Sequence, residues 1–229
     1  MMSGVVAVLL AGGRGRRMGA QIPKQELELD GKKIYRITAE RFASFASIDR
    51  MLFVGVPDRL DEYREGLAGI PKLMGVIAGG AERHDSVWNA LEALRKDPPA
   101  VVLMHDAVRP FVSDRTVAEV IRVARESGAV SAAIPATDTI FEVHDGIVTA
   151  IPDRRTMWQV QTPQGFRYDL LRRAHEEFRR RGGETTDDTR LIQSIGHPVR
   201  VVEGDAVNLK ITRAEDIAVA AVFYRELTE

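Results

Sequence analysis

Chemistry in this chain begins with Leu9-Leu10-Ala11-Gly12-Gly13-Arg14-Gly15-Arg16-Arg17-Met18-Gly19, followed by Pro23-Lys24-Gln25. Gly12, Gly13 and Gly15 let the backbone turn sharply and approach a ligand without Cβ interference. From Ala11 to Gln25 there are four cations (Arg14, Arg16, Arg17, Lys24) and no acid. Exposed backbone N–H groups ringed by cations suit a polyphosphate. Two familiar cradles are excluded. A dinucleotide fingerprint needs a third glycine where Met18 stands, and a P-loop needs Lys and Ser or Thr straight after its last glycine.

Further along, Gly79-Gly80-Ala81-Glu82-Arg83-His84-Asp85-Ser86 is a second glycine-led loop opening a helix. Its backbone can read the edge of a flat base, with Ser86 capping the helix or bonding the ligand; a plain turn and cap is the alternative. His105-Asp106-Ala107-Val108-Arg109-Pro110 follows an apolar run. There Asp106 can orient a ribose or help hold a divalent cation, or it is simply a turn aspartate. Arg109 is a candidate anion contact. Asp153-Arg154, Thr162-Pro163-Gln164 and Asn208-Leu209-Lys210-Ile211-Thr212 add two cations and two hydroxyls. Neither H-E-x-x-H nor G-x-S-x-G occurs, so zinc and serine hydrolases are unsupported.

These loops need elements to hold them. Val5–Leu10, Met51–Val56, Leu73–Ile77, Ala100–Met104, Ala129–Ile134 and Pro198–Glu203 read as strands. Helical spacing occurs over Ile34–Phe45, Ser86–Leu94, Asp114–Arg125 (Ser113 its N-cap), Tyr168–Arg180, Asp187–Ser194 and Arg213–Leu227. Such alternation predicts an α/β fold: a doubly wound, mostly parallel sheet with helices on both faces. Ligands then sit at the carboxyl ends of strands, where the loop after Leu10 and Asp106 both lie. The alternation breaks at Thr139–Val143 and Ile147–Ile151, which read as a β-hairpin around Asp145-Gly146. Ile140, Val143, Ile147 and Ile151 on this protruding arm need cover. A second subunit would supply it; folding back on the same chain is the alternative.

With 229 residues, 45% hydrophobic and 28% charged, the composition is that of an ordinary globular protein. A net charge of −1 argues against a general nucleic-acid binder. The absence of cysteine excludes disulfides and thiolate catalysis. No signal-peptide pattern and no run of transmembrane length is seen, so the expected location is the cytoplasm, away from membranes. No linker splits the chain, and residues 1–229 are read as one domain with the arm at about 137–156.

Eight blocks together resemble the 2-C-methyl-D-erythritol 4-phosphate cytidylyltransferase family of the non-mevalonate isoprenoid pathway. They are Leu10-Ala11-Gly12-Gly13-x-Gly15-x-Arg17-Met18-Gly19, Pro23-Lys24-Gln25, Gly79-Gly80-x-Glu82-Arg83-x-Asp85-Ser86-Val87, His105-Asp106-Ala107-x-Arg109-Pro110, Asp138-Thr139-Ile140, Gln161-Thr162-Pro163-Gln164-x-Phe166, Thr186-Asp187-Asp188, and Val202-Glu203-Gly204 through Asn208-x-Lys210-Ile211-Thr212. The first is common to many nucleotidyltransferases; the set is specific to this family. The resemblance implies a Rossmann-like fold of the nucleotide-diphospho-sugar transferase type. It also implies CMP transfer from CTP to methylerythritol 4-phosphate with Mg²⁺ and release of pyrophosphate. In family terms, Arg17 and Lys24 stabilise charge at the α-phosphate. Ala11, Gly12, Gly13 and Gly15 form the phosphate and base cradle, Gly80, Arg83 and Ser86 the cytosine loop. Asp106 lies by the ribose and the metal, and Ala107 is a further nucleotide-binding position. Arg154 and Lys210 place the acceptor phosphate, with Arg109, Thr139 and Thr162 nearby. A homodimer is implied, the arm of one subunit closing the other's site.

The chemistry agrees: a phosphate monoester, with a second pKa of about 6, is already largely ionised and needs no general base. What two polyanions need is charge neutralisation and in-line placement. A sister cytidylyltransferase using another polyol phosphate, such as ribitol 5-phosphate, is the nearest competing reading. A nucleotide-binding module without catalysis comes next; a dinucleotide-dependent oxidoreductase is disfavoured by the missing glycine.

Overall fold

The computed structural model describes residues 3–12, 27–183, 185 and 187–228. In chain order the elements are β1 (Val5–Leu10), β2 (Glu28–Leu29), β3 (Lys32–Lys33), α1 (Ile34–Ser44), β4 (Arg50–Gly55), α2 (Leu60–Gly66), β5 (Leu73–Ala78), α3 (Arg83–Ala93), β6 (Val101–Asp106), α4 (Asp114–Ser127), β7 (Ala129–Pro135), β8 (Glu142–His144), β9 (Ile147–Ala150), β10 (Trp158–Arg167), α5 (Tyr168–Arg181), α6 (Asp188–Ser194), β11 (Arg200–Glu203) and α7 (Ala214–Thr228).

Continuous apolar runs such as Val5–Leu10 are buried at every position, as a central strand covered on both faces requires. The sheet has seven strands in the order β11-β7-β10-β6-β1-β4-β5. Every pairing is parallel except the two made by β10. Strand residues alternate between two cores. Val5, Ala7 and Leu9 join Phe42 of α1, Tyr63 of α2 and Val120 of α4. Val6, Val8 and Leu10 join Leu91 of α3, Leu171 of α5 and Ile192 of α6. The fold is therefore the expected doubly wound α/β architecture. From β1 the chain moves to β4 and β5 on one side, then returns to place β6 on the other. The crevice between the carboxyl ends of β1 and β6 is thus the switch point at which such sheets bind ligands.

Several expectations are corrected. The sequence reading has no strand between the arm and Tyr168, yet β10 runs for ten residues. Pro163, three glutamines and a glycine hide it, because proline normally marks an edge or a bulge. Here the register with β7 shifts between Val160 and Gln164, so the proline sits in an irregularity of a central strand. The helix expected from Ser86 starts earlier, at Arg83, and the Asp85 carboxylate accepts from the Glu82 N–H at 3.3 Å. Ser86 is therefore no cap. The expected Ser113 cap is present, its Oγ accepting from Thr116 N at 3.1 Å.

The hairpin is present but shorter than expected: Thr139, Ile140 and Phe141 precede β8 as irregular chain. Asp145 (φ 50°) and Gly146 (φ 77°) form its turn, both in the left-handed region that a two-residue hairpin turn demands. It is a two-stranded sheet of its own. Ile140, Phe141, Val143, Ile147, Val148 and Ile151 are exposed on it.

Candidate active site

At the end of β1, Ala11 donates its N–H to Val54 O at 2.8 Å, and Ala107 N donates to Leu10 O at 3.0 Å. These bonds carry the sheet's alignment one residue past the strands. Gly12 lies beside the second glycine loop. A Cβ on Gly12 would meet Ser86 Oγ at 3.0 Å, and one on Gly79 would meet it at 2.8 Å. Ser86 is buried; its hydroxyl accepts from Gly80 N at 3.1 Å and donates to Glu82 O at 3.2 Å. The backbones after β1 and β5 therefore converge on one serine of α3, as a cradle for a flat ligand requires.

A cleft of about 190 Å³ opens beside them, lined by Arg83, Asp106, Arg109, Val160, Gln161, Thr162, Gln164, Asp187 and Lys210. Asp106 is its centre. Lys210 Nζ lies 2.8 Å and Arg109 Nε 3.7 Å from Asp106 Oδ2. Burial alone would raise the carboxyl pKa, but Lys210, Arg83 and Arg109 hold it well below the usual range. The group is an anion paired with Lys210 and Arg109, and within electrostatic reach of Arg83. Burial pushes the Arg109 guanidinium pKa down, partly offset by Asp106.

Beneath the cleft His105 is fully buried, and that burial depresses its pKa to about 4 despite the hydrogen bond to Arg109 O. A carbonyl can only accept, so the proton is on Nε2, which donates to Arg109 O at 2.9 Å. Thr162 Oγ1 then donates to His105 Nδ1 and accepts from Asp106 N, each at 3.1 Å. The segment carrying Lys210 is fastened on both sides. Arg109 Nη1 donates to Asn208 O at 2.7 Å, Asn208 Nδ2 donates to Thr162 O at 2.8 Å, and Ile211 N donates to Val108 O at 3.0 Å.

Of the residues singled out in the sequence, Arg83, Asp106, Arg109, Thr162 and Lys210 meet in the cleft, with Ala11, Gly12, Gly80, Ser86 and Ala107 around its rim loops. Gly13, Gly15, Arg17 and Lys24 lie outside the described residues. Thr139 and Arg154 do not line the cleft. Both are exposed on the arm, and Arg154 Nη1 donates to Thr137 O at 2.8 Å. Gln164 and Asp187 line the cleft although the sequence reading gave them no role; the blocks that contain them were the available signal. Gln164 Nε2 donates to the Asp187 carboxylate at 3.0 and 3.1 Å. Val160 carried no signal at all.

Among the described residues no three His, Cys, Asp or Glu side chains are grouped to hold a metal ion. Among the described residues Asp106, at the centre of the cleft, is a carboxylate that could contribute a hard oxygen. That suits a magnesium ion bound through one carboxylate and substrate phosphates rather than in a protein cage. No helix among the described residues is long and apolar enough to cross a membrane.

A family model described as 2-C-methyl-D-erythritol 4-phosphate cytidylyltransferase matches residues 5–226. The protein of that name from Geobacter metallireducens is 41% identical over 227 residues, spanning 97% of this chain and 98% of that protein. The one from Thermotoga neapolitana is 37% identical over 221 residues, spanning 96% and 97%. The crystal structure of the Thermus thermophilus protein superposes with a TM-score of 0.75 at 34% identity, covering 98% of this chain and all of that one. A 4-diphosphocytidyl-2C-methyl-D-erythritol synthase from Anaerococcus prevotii superposes with a TM-score of 0.85 at 29% identity, covering 97% and 96%. The cleft at the switch point, its three cations around one buried carboxylate, and these full-length similarities agree: the chain belongs to the 2-C-methyl-D-erythritol 4-phosphate cytidylyltransferase family.

Proposed function

We propose that this protein transfers CMP from CTP to 2-C-methyl-D-erythritol 4-phosphate, releasing pyrophosphate, in isoprenoid precursor synthesis. The observation that carries this reading is the grouping of Arg83, Arg109 and Lys210 about Asp106 in a chain matched to that family from residue 5 to residue 226. An acceptor phosphate oxygen attacks the α-phosphorus of CTP. A new P–O bond forms as the bond to the β-phosphate bridging oxygen breaks, and pyrophosphate leaves with the electron pair. No proton need move, so the reaction requires no general acid or base at the cleft.

On this reading Ala11, Gly12, Gly80, Arg83, Ser86 and Ala107 hold the nucleotide, and Asp106 meets its ribose. Lys210, Arg109, Thr162 and, from the arm, Arg154 and Thr139 hold the acceptor. Arg17 and Lys24 meet the charge developing at the α-phosphate, with Gly13 and Gly15 in the same cradle. Asp106 would also reach Mg²⁺, which when bound neutralises phosphate charge. The exposed apolar arm supports a homodimer in which each arm closes the other site. Residues 1–229 then act as one domain, and the cytoplasm is the proposed compartment. Purified protein given CTP, Mg²⁺ and either methylerythritol 4-phosphate or ribitol 5-phosphate tests the reading. Pyrophosphate release with the first and not the second supports it; the reverse overturns it.

A further inference from the structure

His175 of α5 is a buried polar group to which the reaction gives no role. It and Asp188, the first residue of α6, are each 1% exposed. His175 Nε2 lies 2.9 Å from Asp188 Oδ1, and Arg83 Nη1 lies 2.5 Å from Asp188 Oδ2. Burial favours the neutral acid, yet Arg83 and His175 lower the Asp188 pKa to about 2. An ionised carboxylate only accepts, so Nε2 is a donor whether or not the ring is charged. His175 Nδ1 has no hydrogen-bond partner, so the contact with Asp188 is the ring's one polar engagement among the described residues.

A buried polar contact of this kind is a poor source of stability, since apolar side chains of the same volume often do as well or better. What the arrangement does supply is direction. Arg83 lines the cleft while one nitrogen is held from behind by a carboxylate that is itself held from behind. We propose that His175 is a positioning residue for the nucleotide: through Asp188 it fixes the Arg83 guanidinium in the cleft before CTP arrives. This rests on the reading that Arg83 meets the nucleotide rather than the acceptor.

The test compares His175→Asn with His175→Gln. The glutamine amide can occupy the place of Nε2 and the asparagine amide cannot. CTP affinity is measured by calorimetric titration, a readout that does not require turnover. Acceptor KM is measured by pyrophosphate release and folding by thermal melting. Freeing one rotamer-rich side chain is worth about a tenfold loss of affinity. His175→Asn is thus expected to raise the CTP Kd about tenfold with acceptor KM within about twofold, and His175→Gln to restore most of the loss. In an Arg83→Met background the effect of His175→Asn should vanish. Should His175→Asn not fold, Asp188→Asn is expected to show the same selective loss. The proposal is overturned if CTP affinity is unchanged, if both substrates weaken equally, or if the effects of His175→Asn and Arg83→Met simply add. A wild-type protein that binds CTP without turning over methylerythritol 4-phosphate would refute the proposed reaction while leaving the titration able to decide the role of His175.

Discussion

Lys210→Ala separates the two roles a cation beside a buried carboxylate can have. The substitution removes the group 2.8 Å from Asp106 and leaves Arg109 at 3.7 Å. Breaking a fully buried pair costs about 3–5 kcal/mol and an exposed pair about 0–1. The Lys210 side chain is 40% exposed and that of Asp106 13%, with Arg83 and Arg109 still present. The stability loss therefore belongs near the lower range, about 1–2 kcal/mol, or a fall in Tm of roughly 2–8 °C. The catalytic loss is larger. A cation that places the attacking phosphate in line is worth about 10² in kcat/KM, the cost of a misplacement of about 1 Å. Pyrophosphate release at varied acceptor and saturating CTP gives kcat and KM, and a melting curve on the same sample gives Tm. The CTP Kd should stay within about threefold, because the lysine is assigned to the acceptor. A kcat/KM within about threefold of wild type refutes the assignment. A fall in Tm beyond roughly 10 °C shows instead that Lys210 is chiefly structural.

Gly80→Ala would drive a methyl group into Asp85 Cβ and displace the start of α3; the CTP Kd, read by titration, is expected to rise at least about tenfold while the fold survives. His105 binds its proton at about 4 in the folded protein against 6.5 when unfolded. Between those values the unfolded chain is the better proton acceptor, so stability falls as pH is lowered from about 6.5 toward 4. Urea unfolding should show about 2 kcal/mol less stability at pH 5 than at pH 7 from this group, and His105→Asn should flatten that difference. Ile147 and Ile151 are 69% and 63% exposed on the arm; replacing both with Lys is expected to yield a monomer in sedimentation with little activity, whereas an active dimer would remove the arm from the proposed assembly.

The legible parts of this fold are those where one local rule dominates. Val5–Leu10 and Val101–Met104 are unbroken apolar runs, and the sheet buries them on both faces. The Ser113 cap and the Asp145-Gly146 turn depend on a few adjacent residues, and both are found. β10 was not legible because its stability comes from two neighbouring strands rather than from its own residues. Its Pro163 and glutamines argue locally for a loop. The site divides in the same way. Asp106 and Arg109 lie within one turn of each other, so one motif reveals both. Lys210 and Thr162 join them only through the resemblance and the sheet topology, since nothing local ties residue 210 to residue 106. Gln164 and Asp187 were in view within their blocks, but their pairing across the cleft needs the folded chain. His175 had no local signal of any kind.

The clasp formed by Arg109, Asn208 and Ile211 has a consequence for the newborn chain. Synthesis proceeds from the N-terminus, and Lys210 leaves the ribosome only after every strand of the sheet. A chain halted before residue 211 lacks the strap that joins β10 to the segment after β6, so the cleft around Asp106 is finished only after all seven strands of the sheet have been made. Nascent fragments would thus be unable to close the cleft around Asp106, however well their first strands have paired.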